Sequence, residues 1–309
     1  MASTNYLITI VGPTAIGKTA LAIKLANFYN CEIISCDSRQ FFKEMNIGTA
    51  VPSEIELSQA KHHFIQNKSI FENYTVGDFE IEALKKLDQL FTQNNVQVLV
   101  GGSGLYVDAI LKGFDEFPDI DLEVREKLIL DYQNNGISYL QNKLQELDPN
   151  YYLYLHENNP QTLENPQRMM RFLEVTIGSG QAYSSFLGKR SNNRNFVPII
   201  IGLTAEREQM YDRINKRVDL MLKNGLLDEV KTLYPNKNLN ALQTVGYREI
   251  FDFLDGITTL DFAIEEIKKN TRRFAKRQIT WFKRTENIKW FDYQTNTQEF
   301  INYINTIKE

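Results

Sequence analysis

The sequence predicts an α/β protein: a P-loop core in which a parallel sheet is flanked by helices, plus a helical insertion domain. Three observations predict it. Short β-branched apolar runs alternate with helical patterns, the first run leads straight into a glycine-bearing phosphate-loop motif, and strand-like runs vanish over residues 118–195 before returning. Strands separated by helices pair in parallel, because the crossover brings the chain back to the same end of the sheet.

Residues 6–11, Tyr-Leu-Ile-Thr-Ile-Val, read as a buried strand that stops at Gly12. Residues 18–29 follow with alanine and leucine at helical spacing, and residues 31–36 look like a second strand ending at Asp37. Residues 78–94 form an amphipathic helix pattern, with Phe79, Leu84, Leu87 and Phe91 near a 3.6 period. A third strand spans 96–100 and runs into Gly101-Gly102; a fourth spans 197–203. The intervening stretch is polar and tyrosine-rich, with helix patterns at 122–134 and 165–176, then Gly178-Ser179-Gly180 and a polar run at 189–195. The expected domains are therefore a core of residues 1–117 and 196–309 and an insertion of residues 118–195. Residues 205–309 read as mostly helical, and there is no fixed-period repeat or low-complexity tract.

The chain has 309 residues, 42% hydrophobic and 24% charged, the composition of an ordinary globular protein. Cys31 and Cys36 fit neither a CxxC pair nor a disulfide framework, which suits a reduced compartment. The first residues lack a basic leader, and the apolar run at 6–11 is too short for a signal or membrane span. A cytoplasmic monomer with no membrane partner is the expectation. Net charge is −4, yet residues 268–284 carry eight Lys or Arg and no acid. On a helix, Lys269, Arg273, Arg277, Thr280 and Arg284 share one side. Such a stripe is either a solvated face or a track for nucleic-acid phosphates.

Gly12-Pro13-Thr14-Ala15-Ile16-Gly17-Lys18-Thr19 matches G-x-x-x-x-G-K-[ST] between a strand and a helix, the context that motif requires. Backbone N–H groups turn inward on a polyphosphate, the helix N-terminus adds partial positive charge, Lys18 supplies a full one, and Thr19 offers a hydroxyl to Mg²⁺. The ligand is a di- or triphosphate. A nucleotide kinase normally adds an acid at the end of a later strand to hold Mg²⁺. Here the third strand ends in Gly101-Gly102-Ser103-Gly104, leaving Asp37 as the well-placed carboxylate. The kinase reading is weakened but stands.

In order along the chain, the phosphate loop, Asp37-Ser38-Arg39-Gln40, Asn-Ile-Gly-Thr-Ala at 46–50, His62-His63, Gly-Gly-Ser-Gly-Leu-Tyr at 101–106, Gln167-Arg168-Met169-Met170-Arg171, Val245-Gly246-Tyr247-Arg248 and Lys-Arg-Gln-Ile-Thr-Trp at 276–281 resemble the blocks of the tRNA dimethylallyltransferases. Ile16 stands where that family usually has a small residue, and Ser103 replaces a threonine. The resemblance implies transfer of a dimethylallyl group from dimethylallyl diphosphate to N6 of the adenosine immediately 3′ of the anticodon in tRNA, releasing pyrophosphate, with Mg²⁺ as cofactor. It implies catalytic roles for Asp37, Thr19, Ser103 and Arg217. The amine N6 is a poor nucleophile that a carboxylate can orient and deprotonate, and Asp37 sits where that is needed. Arg217 would face the leaving pyrophosphate, or else be a surface arginine paired with Asp212 or Asp219.

The stacked adenine must be flipped out to react. The resemblance assigns tRNA contact to Asp37, Ser38, Arg39, Gln40, Ser103, Arg125, Gln167, Arg168, Met169, Met170, Arg171, Gln243, Thr244, Val245, Gly246, Tyr247 and Arg248, with Lys269, Arg273 and Arg277 added from the basic stripe. Met169 and Met170 also read as apolar packing, and His62 and His63 as structural or substrate-lining rather than a zinc site. A prenyltransferase acting on free nucleotides, a kinase and a nucleotide-dependent RNA-binding protein without transfer chemistry remain as alternatives.

Overall fold

The computed structural model describes residues 4–189 and 193–308. The chain opens with β1 (Tyr6–Val11), α1 (Lys18–Tyr29), β2 (Ile33–Ser35), α2 (Glu54–Gln59), β3 (His62–His63), α3 (Val76–Phe91), β4 (Val96–Val100) and α4 (Gly104–Lys112). Then come α5 (Leu122–Leu147), α6 (Pro149–Asn158), α7 (Pro160–Leu163), α8 (Pro166–Ser179), β5 (Val197–Thr204), α9 (Arg207–Lys223), α10 (Leu226–Leu233), α11 (Arg248–Leu254), α12 (Leu260–Phe282), β6 (Ile288–Asp292) and α13 (Thr297–Lys308).

The strands form one all-parallel sheet in the order β3-β2-β4-β1-β5-β6. β1 is central, with Ile8 opposite Val98 on one side and Ile199 on the other. Both faces are covered, which is why β1 and β4 read as unbroken apolar runs. Ile8, Ile10, Val98 and Ile201 pack with Leu25 of α1 and Ile304 of α13. Leu7, Val11 and Leu99 pack oppositely with Phe79 of α3, Val107 of α4 and Phe282 of α12. Each such side chain, fully buried, contributes about 1.5–3 kcal/mol. A third cluster, including Phe42, Met45, Val218, Val230, Tyr247 and Ile267, joins the helices after β5 to the loop following β2.

Several expected bounds shift for local reasons. The second strand pairs only over Ile33–Ser35, leaving both cysteines outside it. α3 starts earlier than expected because Thr75 and Asp78 form a reciprocal cap: Asp78 N donates to Thr75 Oγ1 at 3.2 Å, and Thr75 N to Asp78 Oδ2 at 2.8 Å. β3 and β6 were not expected. Both lie at sheet edges, β3 is only a His-His pair, and β6 is half-exposed.

Two compact units divide at Leu111/Lys112 and Asn192/Asn193, where the sequence suggested 117/118 and 195/196. Phe117 stacks on Tyr183 at 5.0 Å, inside the smaller unit. Arg194 donates to the carbonyls of Ala109 and Ile110, each at 2.8 Å, and pairs with Glu80, inside the larger one. In the smaller unit α5 breaks at Gly136 (φ 71°, ψ −170°). Pro149, Pro160 and Pro166 each begin a helix, where the missing N–H costs nothing. Leu128, Leu140, Leu144, Leu155, Met169, Met170 and Leu173 fill its core. Of the polar run at 189–195, residues 190–192 lie outside the described residues. Among the described residues no helix is long and apolar enough to cross a membrane.

Candidate active site

A cleft of about 780 Å³ opens at the carboxyl ends of the core strands, the usual ligand position in a parallel α/β sheet. Residues 14–20 of the phosphate loop and the start of α1 form its floor. The loop can turn there because Gly12 adopts φ +144° and a Cβ on it would sit 2.6 Å from the Leu203 carbonyl oxygen. Around the floor stand Asp37, Gln40, Arg213 and Arg217, while Ile47, Val51, Pro52, Leu57, Leu220 and Met221 give the cleft an apolar wall.

Three of the four cations that line the cleft, all but Lys216, lean on neutral oxygen atoms. Lys18 Nζ donates to the Pro13 carbonyl at 2.8 Å and Arg213 Nε to the Ala15 carbonyl at 2.8 Å. Arg217 Nη1 reaches Thr14 Oγ1 at 3.5 Å, at the limit of a hydrogen bond. Neither acid weighed as a partner for Arg217 is paired with it: Asp212 takes Lys216 and Asp219 takes Lys268. Burial lowers the pKa of Lys18 to about 8, with the Asp37 charge opposing and Arg217 adding to the fall. Burial also lowers that of Arg217, against the charges of Asp37 and Glu56. Concentrated cationic charge of this kind, short of acid partners, invites an anion.

Asp37 follows β2 and faces the cleft, its Oδ1 accepting from Arg39 N at 3.1 Å in a local turn. Ser103 does not line the cleft. Its Oγ accepts from Ser38 N at 3.1 Å and lies 3.2 Å from Ser38 Oγ, so it braces the turn that carries Asp37. Gln278, a residue without an expected role, is buried on the inner face of the basic helix α12. Its Oε1 accepts from Thr14 N at 2.9 Å and its Nε2 donates to the Gly102 carbonyl at 2.9 Å, joining the phosphate loop to the glycine turn after β4. Arg213 was missed too. It sits one helical turn before Arg217, a spacing that would have shown it. The signal for Gln278 was a polar residue on the face formed by Ala275 and Phe282. His62 lines the cleft, and its buried Nε2 has no partner among the described residues, while its Nδ1 meets the Ala60 carbonyl at 2.8 Å. His63 pairs with Glu32.

The family model for IPP transferase matches residues 40–285. A tRNA dimethylallyltransferase of Flavobacterium psychrophilum is 70% identical over 302 residues, 98% of each chain. This chain belongs to the tRNA dimethylallyltransferase (IPP transferase) family. Its fold is similar to the full-length tRNA isopentenylpyrophosphate transferase of Bacillus halodurans, with TM-score 0.72 and 36% identity, covering 98% of this chain and 97% of that one. It also resembles a eukaryotic dimethylallyltransferase seen acting on tRNA, with TM-score 0.77 and 25% identity, covering 98% of this chain and 77% of that one.

Members of the family are prenyltransferase enzymes, and the residues that resemblance marked for tRNA contact divide sharply by exposure. Met169 and Met170 are buried in the core of the smaller unit, and Tyr247 is fully buried in the larger. Their side chains pack the fold and cannot touch RNA while it is folded, which corrects the contact assignment of all three and bears out the packing reading of the two methionines. Arg39 is committed as well, donating to the carbonyls of Asn240 and Ala241 at 3.1 and 2.9 Å. Gln40 donates to those of Thr49 and Ala50 at 3.1 and 2.9 Å. Val245 packs against the third cluster, Thr244 lends its carbonyl to Tyr247 N and Arg248 N, and Gly246 N donates to Glu249.

Gln243 and Arg248 are exposed and line a second hollow of about 530 Å³ with Phe262. In the smaller unit Arg125 pairs with Glu174 and donates to Gln167 Oε1 at 2.7 Å, Arg171 also pairs with Glu174, and Arg168 donates to Thr162 Oγ1. On α12, Lys269 is paired with Glu266 at 2.8 Å, while Arg273 and Arg277 are exposed without a carboxylate partner among the described residues.

Proposed function

We propose that this chain transfers a dimethylallyl group from dimethylallyl diphosphate to N6 of the adenosine immediately 3′ of the anticodon in tRNA. One observation carries the reading: a single cleft combines a phosphate cradle, cations without acid partners, a carboxylate and an apolar wall. An allylic diphosphate asks for that set, with its anionic end on the cradle and its hydrocarbon end on the wall.

In the reaction the carbon–oxygen bond to the diphosphate breaks as a bond forms from N6 to the allylic carbon, and one proton leaves N6. Asp37 orients the amine and takes that proton. Lys18, Arg217 and the loop N–H groups neutralise the charge that grows on the departing pyrophosphate. Arg213 and Gln278 keep the loop in shape through Ala15 and Thr14. The described residues gather no group of three His, Cys, Asp or Glu able to cage a metal. Thr19, which lines the cleft at the start of α1, would hold Mg²⁺ through its hydroxyl, the remaining ligands coming from substrate phosphates and water. When bound, Mg²⁺ supplies further neutralisation of the leaving group. The target base is flipped into the cleft from the anticodon loop, and Arg273 and Arg277 track its phosphates.

Mass spectrometry of nucleosides from tRNA incubated with dimethylallyl diphosphate and Mg²⁺ tests the reading. Adenosine gaining C5H8 at the position after the anticodon is the expected product. Unaltered tRNA, or prenylated free nucleotide in its place, would refute it.

A further inference from the structure

Half of the apolar wall of the cleft comes from a loop that is neither helix nor strand. Residues 46–52 contribute Ile47, Val51 and Pro52 to it, facing Leu220 and Met221 of α9. A loop in that position sets the width of the cleft only if something fixes its backbone. Glu229, on α10, does so. Its Oε2 accepts from Asn46 N at 3.0 Å and Ile47 N at 2.7 Å, and its Oε1 from Gly48 N at 2.9 Å and the Tyr247 hydroxyl at 2.7 Å. Three consecutive backbone donors and a phenol thus converge on one carboxylate. Charge-assisted bonds of this kind are stronger and shorter than neutral ones. Burial and the Glu229 charge both push the Tyr247 phenol far up in pKa, so it remains a donor. The fit is also steric: a Cβ on Gly48 would lie 2.5 Å from the Tyr247 ring.

We infer that Glu229 is a positioning residue that sets the length of prenyl chain the enzyme accepts, by pinning the backbone of residues 46–48 against Tyr247 and so fixing the distance between the two apolar walls. Glu229 is absent from the cleft lining and acts through Ile47 and the residues that follow it. The inference rests on the reading of the cleft as a dimethylallyl diphosphate site. With the pin removed, the loop relaxes outward, and a ten-carbon donor gains room that a five-carbon donor cannot use. The phosphate cradle, carried on β1 and α1, is untouched.

The test compares wild type with Glu229→Ala, Glu229→Gln and Tyr247→Phe. kcat/KM is measured at saturating tRNA with dimethylallyl diphosphate and with geranyl diphosphate, and inorganic pyrophosphate binding is measured by calorimetry. Glu229→Ala is expected to lose about tenfold in preference for the shorter donor, the scale on which hydrophobic pockets discriminate chain length. Glu229→Gln and Tyr247→Phe should shift the same way by less, with pyrophosphate affinity unmoved. Should Glu229→Ala fail to fold, the two milder variants carry the measurement. An unchanged donor preference in both overturns the inference, as does a preference held constant while pyrophosphate affinity and both rates fall together. A wild-type enzyme that prenylates no tRNA with either donor fails at the earlier reading and is recognised as such, because no donor preference then exists to measure.

Discussion

Three cations at the phosphate loop and two arginines of the smaller unit are held by different kinds of oxygen. Around the phosphate loop Lys18, Arg213 and Arg217 lean on two carbonyls and a hydroxyl. In the smaller unit Arg125 and Arg171 share the carboxylate of Glu174. A carbonyl orients a cation but leaves its charge available; a carboxylate cancels much of it. The core cluster is therefore charged for a multivalent anion, whereas the other has its charge partly spent internally. The contrast predicts where substitution is felt most.

Asp37→Ala should lose about 10²–10⁴-fold in transfer rate, the usual range for a general base, while tRNA and diphosphate still bind. Activity within about tenfold of wild type would remove Asp37 from the proton transfer. Arg217→Gln comes next, with a fall of about 10²–10³-fold in kcat measured under single turnover, as for other donors that meet developing charge. Were Arg217 an ordinary surface arginine, kcat would not move.

The pH dependence follows from Lys18, whose pKa burial has lowered to about 8. The anion binds the protonated lysine, so pyrophosphate affinity should be full below that value. Above it, affinity should fall by up to about tenfold per pH unit. A Lys18→Met variant should show no such inflection, and an identical profile in the variant would assign the titration elsewhere.

Smaller effects are expected where RNA is the ligand. Arg273→Ala and Arg277→Ala should each make the slope of log tRNA affinity against log salt shallower by about one, or somewhat less against single strands. Lys269→Ala should change it less, since Glu266 already holds that ammonium. Slopes unchanged from wild type in all three variants would place the helix away from the RNA. The smallest change is expected from Glu174→Gln. Freeing Arg125 and Arg171 should tighten tRNA binding by about threefold or less, the scale of an exposed ion pair. Weaker binding would mean that Glu174 is needed to aim the arginines.

What the sequence disclosed, and what it hid, follows the range of each signal. The phosphate loop, β1, α1 and β4 were legible because their chemistry is local: a glycine turn, a lysine and buried β-branched runs of the right length. Asp37 was legible from its place after a strand. β6 was hidden because a half-exposed edge strand has weak patterning and follows a long basic helix. Tyr247, Met169 and Met170 entered the tRNA-contact set because a motif block transfers as a unit, although the two methionines also read as packing, and a folded backbone sends neighbouring side chains in opposite directions. The 3.6-residue period separates them afterwards: Arg168 and Arg171 point out of α8 as Met169 and Met170 point in. Glu229 could not have been found, since its partners at 46–48 lie far away in sequence and are backbone groups.

Gln278 ties α12 to the phosphate loop and to the glycine turn after β4. One side of the helix presents Arg273 and Arg277 to solvent, and the other grips the Thr14 N–H and the Gly102 carbonyl. Both bonds are made in a buried site, so sliding or rolling the helix would break them or take the loop amide along. A shift of α12 would therefore reach the cradle first at the Thr14 amide, the one phosphate-loop group that Gln278 holds.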